Sequence, residues 1–130
     1  MEVITKSIYE ARAASDGTRV LVSRFYPRGV KRNHFDLWIR EASPEPDLLK
    51  KYKKGSLNWM EFSKRFKEQL KSSPESQAAI DKLVELGRER QVTLLCYERQ
   101  GEHCHREIVK AAVNIRAKRK RLRRESSNKI

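Results

Sequence analysis

The chain has 130 residues, 38% hydrophobic and 36% charged, and its 30 Lys and Arg against 17 Asp and Glu give a formal charge of +13 at pH 7. A chain of this size buries about two thirds of its unfolded surface, which suits one domain with a real core and excludes two full catalytic domains. No apolar run approaches the ~18 residues a membrane span needs, Met1-Glu2-Val3 does not begin a signal peptide, and two cysteines are too few for a disulfide framework. A cytoplasmic protein with no membrane partner is therefore expected.

In chain order, Val3 to Tyr9 reads as a strand, followed by a connection from Ala11 that closes on the turn signal Asp16-Gly17. Arg19 to Tyr26 is a second strand, ended by Pro27, which lacks the N–H a central strand must donate. Pro27-Arg28-Gly29-Val30 forms a loop, Phe35 to Ile39 a short extended segment, and Ser43-Pro44-Glu45-Pro46 a turn. A short helix over Asp47 to Lys54 stops at Gly55. Ser56 is the expected N-cap of the next helix, which carries Trp59, Phe62, Phe66 and Leu70 at three- and four-residue spacing as a core stripe. A third helix follows Pro74, with Ala79, Ile80, Leu83, Val84 and Leu86 apolar.

Val92 to Tyr97 is the clearest strand, near-continuously apolar as an interior strand of a helix-covered sheet should be. After Glu98-Arg99-Gln100-Gly101 a helix should start near Glu102 or His103 and run through Ile115 into the basic tail. The expected fold is α/β, a compact single domain with a small, mostly parallel sheet covered by helices. Cys96 then ends a strand and Cys104 sits in the first turn of the next helix, at the edge where open α/β sheets bind ligands.

Three readings fit Cys96 and Cys104-His105-Arg106. In the first, helix-terminal N–H groups, His105 and Arg106 favour the Cys104 thiolate, giving a nucleophile. Arg24, Arg28 and Arg106 would hold an anionic substrate, and Glu98 would orient an arginine or serve as a base. In the second, Cys96, His103, Cys104 and His105 ligate a metal. Against this, Cys-x7-Cys-His is not a usual zinc spacing, and adjacent helical residues point about 100° apart. In the third, both cysteines are ordinary buried residues. Phosphate-binding and dinucleotide motifs and a Cys-x-x-Cys pair are absent from the sequence, so no cofactor and no metal is expected. Whether Cys96 and Cys104 form a disulfide depends on a distance the sequence does not supply.

The chain resembles the DUF488 family, in particular its short, basic branch. The resemblance rests on Arg19 to Val30, on Asp36 to Pro44, and on Val92 to Glu98 followed by His103-Cys104-His105-Arg106, and it spans roughly residues 2–115. It implies a compact α/β domain with no established activity. The short branch often has non-thiol residues where this chain carries Cys96 and Cys104-His105-Arg106.

Residues 116–130 lie beyond that resemblance and form a basic extension, expected to start as helix and then become disordered. It supplies +7 of the +13 charge. Arg116, Lys118, Arg119, Lys120, Arg121, Arg123 and Arg124 surround every helical face, a pattern for non-specific contact with nucleic-acid phosphates and not for membrane insertion. Two functions remain open: a site at the strand ends for a small anionic ligand, with thiol-dependent catalysis by Cys104, His105, Cys96 and Glu98, or a non-enzymatic accessory protein that binds nucleic acid through the extension.

Overall fold

The computed structural model describes residues 3–97 and 104–127. Four parallel strands, β1 (Ile4–Ser7), β2 (Thr18–Leu21), β3 (Leu37–Trp38) and β4 (Val92–Cys96), lie in the order β1-β4-β2-β3. Four helices accompany them: α1 (Pro46–Lys53), α2 (Trp59–Ser72), α3 (Pro74–Glu89) and α4 (His105–Ser127). This is the expected α/β domain with a small parallel sheet. β4 lies between β1 and β2, and all five of its residues are buried, which is why it reads as an unbroken apolar run.

Alternation along the strands divides the core. Val20, Val22, Val92 and Leu94 pack with Phe66, Leu70, Ile80, Leu83, Val84, Val109 and Val113 of α2, α3 and α4. On the opposite face Leu21, Leu95 and Ile8 pack beneath Val30, Phe35 and Trp38. Helices thus cover one face and the segment between β2 and β3 covers the other.

Several boundaries differ from the sequence expectation, those of β2, α2 and α4 among them. β2 stops at Leu21 and not at Tyr26: the Val22 amide still donates to Leu95 at 2.9 Å, but its carbonyl is taken by His105. Asn58, and not Ser56, caps α2. Its side chain accepts from the Glu61 amide at 2.8 Å, and Glu61 accepts in return from the Asn58 amide at 3.2 Å, forming a capping box. α4 continues through the basic segment as far as Ser127, longer than the helical start expected of the extension; residues 128–130 lie outside the described residues.

The connection from β1 to β2 is pinned by charge. Asp16 ends a 3-10 turn at Ala14–Asp16, and its buried carboxylate accepts from Arg19 at 2.6 Å, Lys6 at 3.1 Å and the Ala13 amide at 3.0 Å. Arg19 has no exposed surface and also donates to the carbonyls of His34 at 3.0 Å and Glu10 at 3.2 Å. Gly17 follows at φ 63°, where a side chain would collide with the Gln91 carbonyl that accepts from the Thr18 amide at 2.8 Å. Only glycine meets both demands there.

Candidate functional site

The site forms where β4 ends and α4 begins. Cys96 is the last residue of β4 and has no exposed surface. Cys104 directly precedes α4, and its carbonyl accepts from the Glu107 amide at 3.3 Å, which places it at the cap and not within the first turn. That single position changes the geometry. Because Cys104 stands off the helix, the 100° divergence expected of helical neighbours does not apply, and its sulfur lies 4.0 Å from Nδ1 of His105.

Cys96, Cys104 and His105 are all buried, and their ligand atoms fall within 4.8 Å of one another. The two sulfurs are joined in a disulfide, with the Cα atoms 7.6 Å apart. Arg106, also buried, donates from Nη1 to the Cys96 sulfur at 3.3 Å. Across the sheet, Nε2 of His105 donates to the Val22 carbonyl. With the proton held on Nε2, the lone pair of Nδ1 is left on the side of the cysteines.

Burial above all, with Arg106 and Arg24 nearby, pushes the His105 ring down to about 4 against the hydrogen bond to Val22. The ring is therefore neutral at pH 7 beside the disulfide. The Phe66 and His105 rings meet edge to face, 5.8 Å between centroids and 88° between planes, which ties the site to the core.

Among the predicted anion-binding residues, Arg24 and Arg106 join this neighbourhood. Arg24 is fixed by donating from Nε to Pro44 at 3.2 Å and from Nη2 to Ser43 at 2.9 Å. Arg28 is exposed, and the contact it makes is through its backbone carbonyl, which accepts from the Tyr9 hydroxyl at 3.2 Å. Among the described residues its guanidinium makes no hydrogen bond or ion pair. Glu98 and His103 lie outside the described residues.

This arrangement can be set beside known proteins. The model of the DUF488-N3a subfamily, described as "Active DUF488-N3 subclade", matches residues 3–117. The chain belongs to the DUF488 family. It is similar to the "Uncharacterized protein YeaO" of Escherichia coli, 27% identical over 97 residues that cover 73% of this chain and 82% of that protein. It is also similar to the uncharacterized proteins Rv3073c of Mycobacterium tuberculosis and Mb3100c of Mycobacterium bovis. Each is 28% identical over 111 residues, 84% of this chain and 91% of the relative. No solved structure matches.

Within this DUF488 chain the basic extension is partly engaged. Arg116 and Lys120 both reach Asp81 of α3, at 2.8 and 3.0 Å, and draw its carboxyl below the usual range although burial opposes this. Lys118, Arg121 and Arg124 join Arg88 and Asn114 in lining a groove of about 690 Å³ between α3 and α4. Among the described residues no helix is long and apolar enough to cross a membrane.

Sequence reasoning missed the buried pair of Asp16 and Arg19. Asp16 read as a turn residue, and Arg19 read as one more charge in a basic strand. The signal that existed was a lysine, an aspartate and an arginine, Lys6, Asp16 and Arg19, on and between two successive strands of one sheet.

Proposed function

We propose that the protein is a thiol-dependent enzyme acting on a small anionic substrate at the C-terminal edge of its sheet, with the Cys104 thiolate as nucleophile. The observation that carries this reading is the anchored His105 ring, whose Nδ1 lone pair stands 4.0 Å from the Cys104 sulfur to accept its S–H proton while Val22 holds Nε2. Cys104 also lies at the N-terminal end of a long helix, whose dipole favours an anion. Arg106 steadies the Cys96 sulfur, and Arg24, pinned by two backbone carbonyls, offers its remaining Nη1 to an anionic group. The reaction uses the reduced form of the disulfide-bonded pair described above, the form that a reducing compartment maintains. The description of the matched subfamily as active agrees with an enzymatic role.

The test is alkylation of the reduced protein by iodoacetamide at pH 7, read for each cysteine by mass spectrometry. Cys104 should react at least ~10-fold faster than Cys96, in keeping with a thiolate-favouring cap. Inorganic phosphate or sulfate should slow it, and Arg24→Gln should remove that protection. Equal rates at the two cysteines, with no protection by either anion, would sink the assignment.

The groove between α3 and α4 favours a second reading, in which the extension binds nucleic acid through phosphate neutralisation. Arg88, Lys118, Arg121 and Arg124 meet there without an acidic lining residue. Deleting residues 116–130 should abolish most low-salt binding to a short DNA duplex and flatten its dependence on salt, since each neutralised phosphate contributes a slope of about −0.9. Binding that persists with an unchanged slope would exclude the extension as its source.

A further inference from the structure

We propose that the reduced cluster is also a zinc site, in which Cys96 Sγ, Cys104 Sγ and His105 Nδ1 hold one ion and thereby silence the thiol. This rests on reading the cluster as the working site and adds its regulation. Two thiolates and an imidazole nitrogen are a borderline-soft donor set that suits zinc, and three protein ligands leave the fourth tetrahedral position to water or an anion.

The geometry supports it in three ways. First, the frame is wide: the Cα atoms of Cys96 and Cys104 are 7.6 Å apart, whereas ordinary disulfides span about 4.4–6.8 Å. Strand end and helix cap therefore leave room for something between the sulfurs. Once reduced, the sulfurs must part to nonbonded contact. With Zn–S near ~2.3 Å, two sulfurs on a tetrahedral ion lie ~3.8 Å apart, close to that contact. Second, the imidazole already has the expected separation, Nδ1 to Cys104 Sγ being 4.0 Å, with all three ligand atoms inside 4.8 Å. Third, the surrounding contacts are those that prepare ligands. The other ring nitrogen of His105 is committed to a backbone carbonyl, and Arg106 donates to the Cys96 sulfur. A histidine fixed through its distal N–H and a thiolate steadied by a hydrogen bond are recurrent outer supports of zinc sites.

Zinc binding releases the protons of the two thiols and occupies the sulfur lone pair that nucleophilic attack requires. Zinc and alkylating agent therefore compete for Cys104.

The experiment uses the full chain, reduced and kept free of oxygen, with Zn²⁺ and with Co²⁺ as a spectroscopic probe. One ion per chain by elemental analysis is expected, together with the near-ultraviolet thiolate-to-cobalt absorption. Zn²⁺ should slow alkylation of Cys104 at least ~10-fold, and a chelator should restore the rate. Cys96→Ser and His105→Gln should each weaken Co²⁺ binding by ~10-fold or more. The protection measured on the unaltered chain needs no variant to fold. Absence of a thiolate-to-cobalt band, or binding that survives Cys96→Ser combined with Cys104→Ser, would overturn the proposal. The two readings fail separately: a metal-free Cys104 that reacts no faster than Cys96 removes the nucleophile and leaves the zinc site standing, whereas a fast Cys104 that Zn²⁺ does not protect removes only the zinc.

Discussion

Asp16→Ala should cost about 3–5 kcal/mol of folding stability at pH 7, the range for removing one partner of a buried ion pair. The loss is large because of what the change leaves behind. Arg19 has no exposed surface, and without the Asp16 carboxylate its guanidinium keeps hydrogen-bond contacts with the carbonyls of His34 and Glu10 and the His34 ring, with the Asp36 carboxylate acting on it at longer range. Arg19→Met should cost less, since Asp16 keeps Lys6 and the Ala13 amide and methionine fills the space with apolar atoms. Burial alone would raise the Asp16 carboxyl, but the Ala13 amide, Arg19 and Lys6 together outweigh it and hold the group below its usual value. A carboxylate held low in the folded state stabilises the fold above its unfolded value of about 3.9, and that contribution disappears as pH falls through the folded value. Urea unfolding of both variants between pH 3 and 7 checks this. The gap between Asp16→Ala and the unaltered chain should narrow only below about pH 4; a loss under ~1 kcal/mol at pH 7 would mean that the pair is not what pins the connection.

How far the sequence could be read follows from which force sets each element. β4 was legible because a strand buried on both faces is written in apolar residues, and α2 because Phe62, Phe66 and Leu70 recur at helical spacing and are buried. Turn-level detail was less so. Ser56 and Asn58 are both acceptable caps, and only the reciprocal partner Glu61 decides for Asn58. The end of β2 depended on His105, which is 83 residues away in sequence. The site itself was half legible. Its residue types pointed to sulfur chemistry at a strand end, but the judgement against a shared ligand set assumed that Cys104 and His105 both obey helical geometry. One residue of difference at the cap removed that objection. Arg24 and Arg28 looked equivalent on either side of Pro27, yet the chain turns between them: the Ser23 hydroxyl donates to Phe25 at 2.8 Å and the Tyr26 hydroxyl to Val30 at 2.5 Å. Arg24 is thereby directed under the Ser43-Pro44 turn and Arg28 to solvent.

Phe66→Ala should both destabilise the fold, by about 3–5 kcal/mol for a buried phenylalanine, and loosen the chemistry at Cys104. Phe66 has no exposed surface and belongs to the main core, so the first effect follows from lost burial and the cavity that remains. The second follows from its edge-to-face contact with His105 at 5.8 Å. Two of the contacts that orient that buried ring are the hydrogen bond to Val22 and the wall provided by Phe66, and the hydrogen bond by itself permits rotation about the Nε2 contact. A cavity beside the ring supplies the room, moving Nδ1 away from the sulfur it faces. The Cys104-to-Cys96 alkylation ratio of the reduced protein should therefore fall by ~10-fold, comparable to losing an outer support of a ligand. Phe66→Leu, which keeps most of the volume, should cost less than about 1.5 kcal/mol and spare the ratio. Measuring melts and alkylation on the same samples separates the two effects. A Phe66→Ala protein that is less stable but keeps the full ratio would show that Phe66 does not orient His105, and that this part of the core supports the site without shaping it.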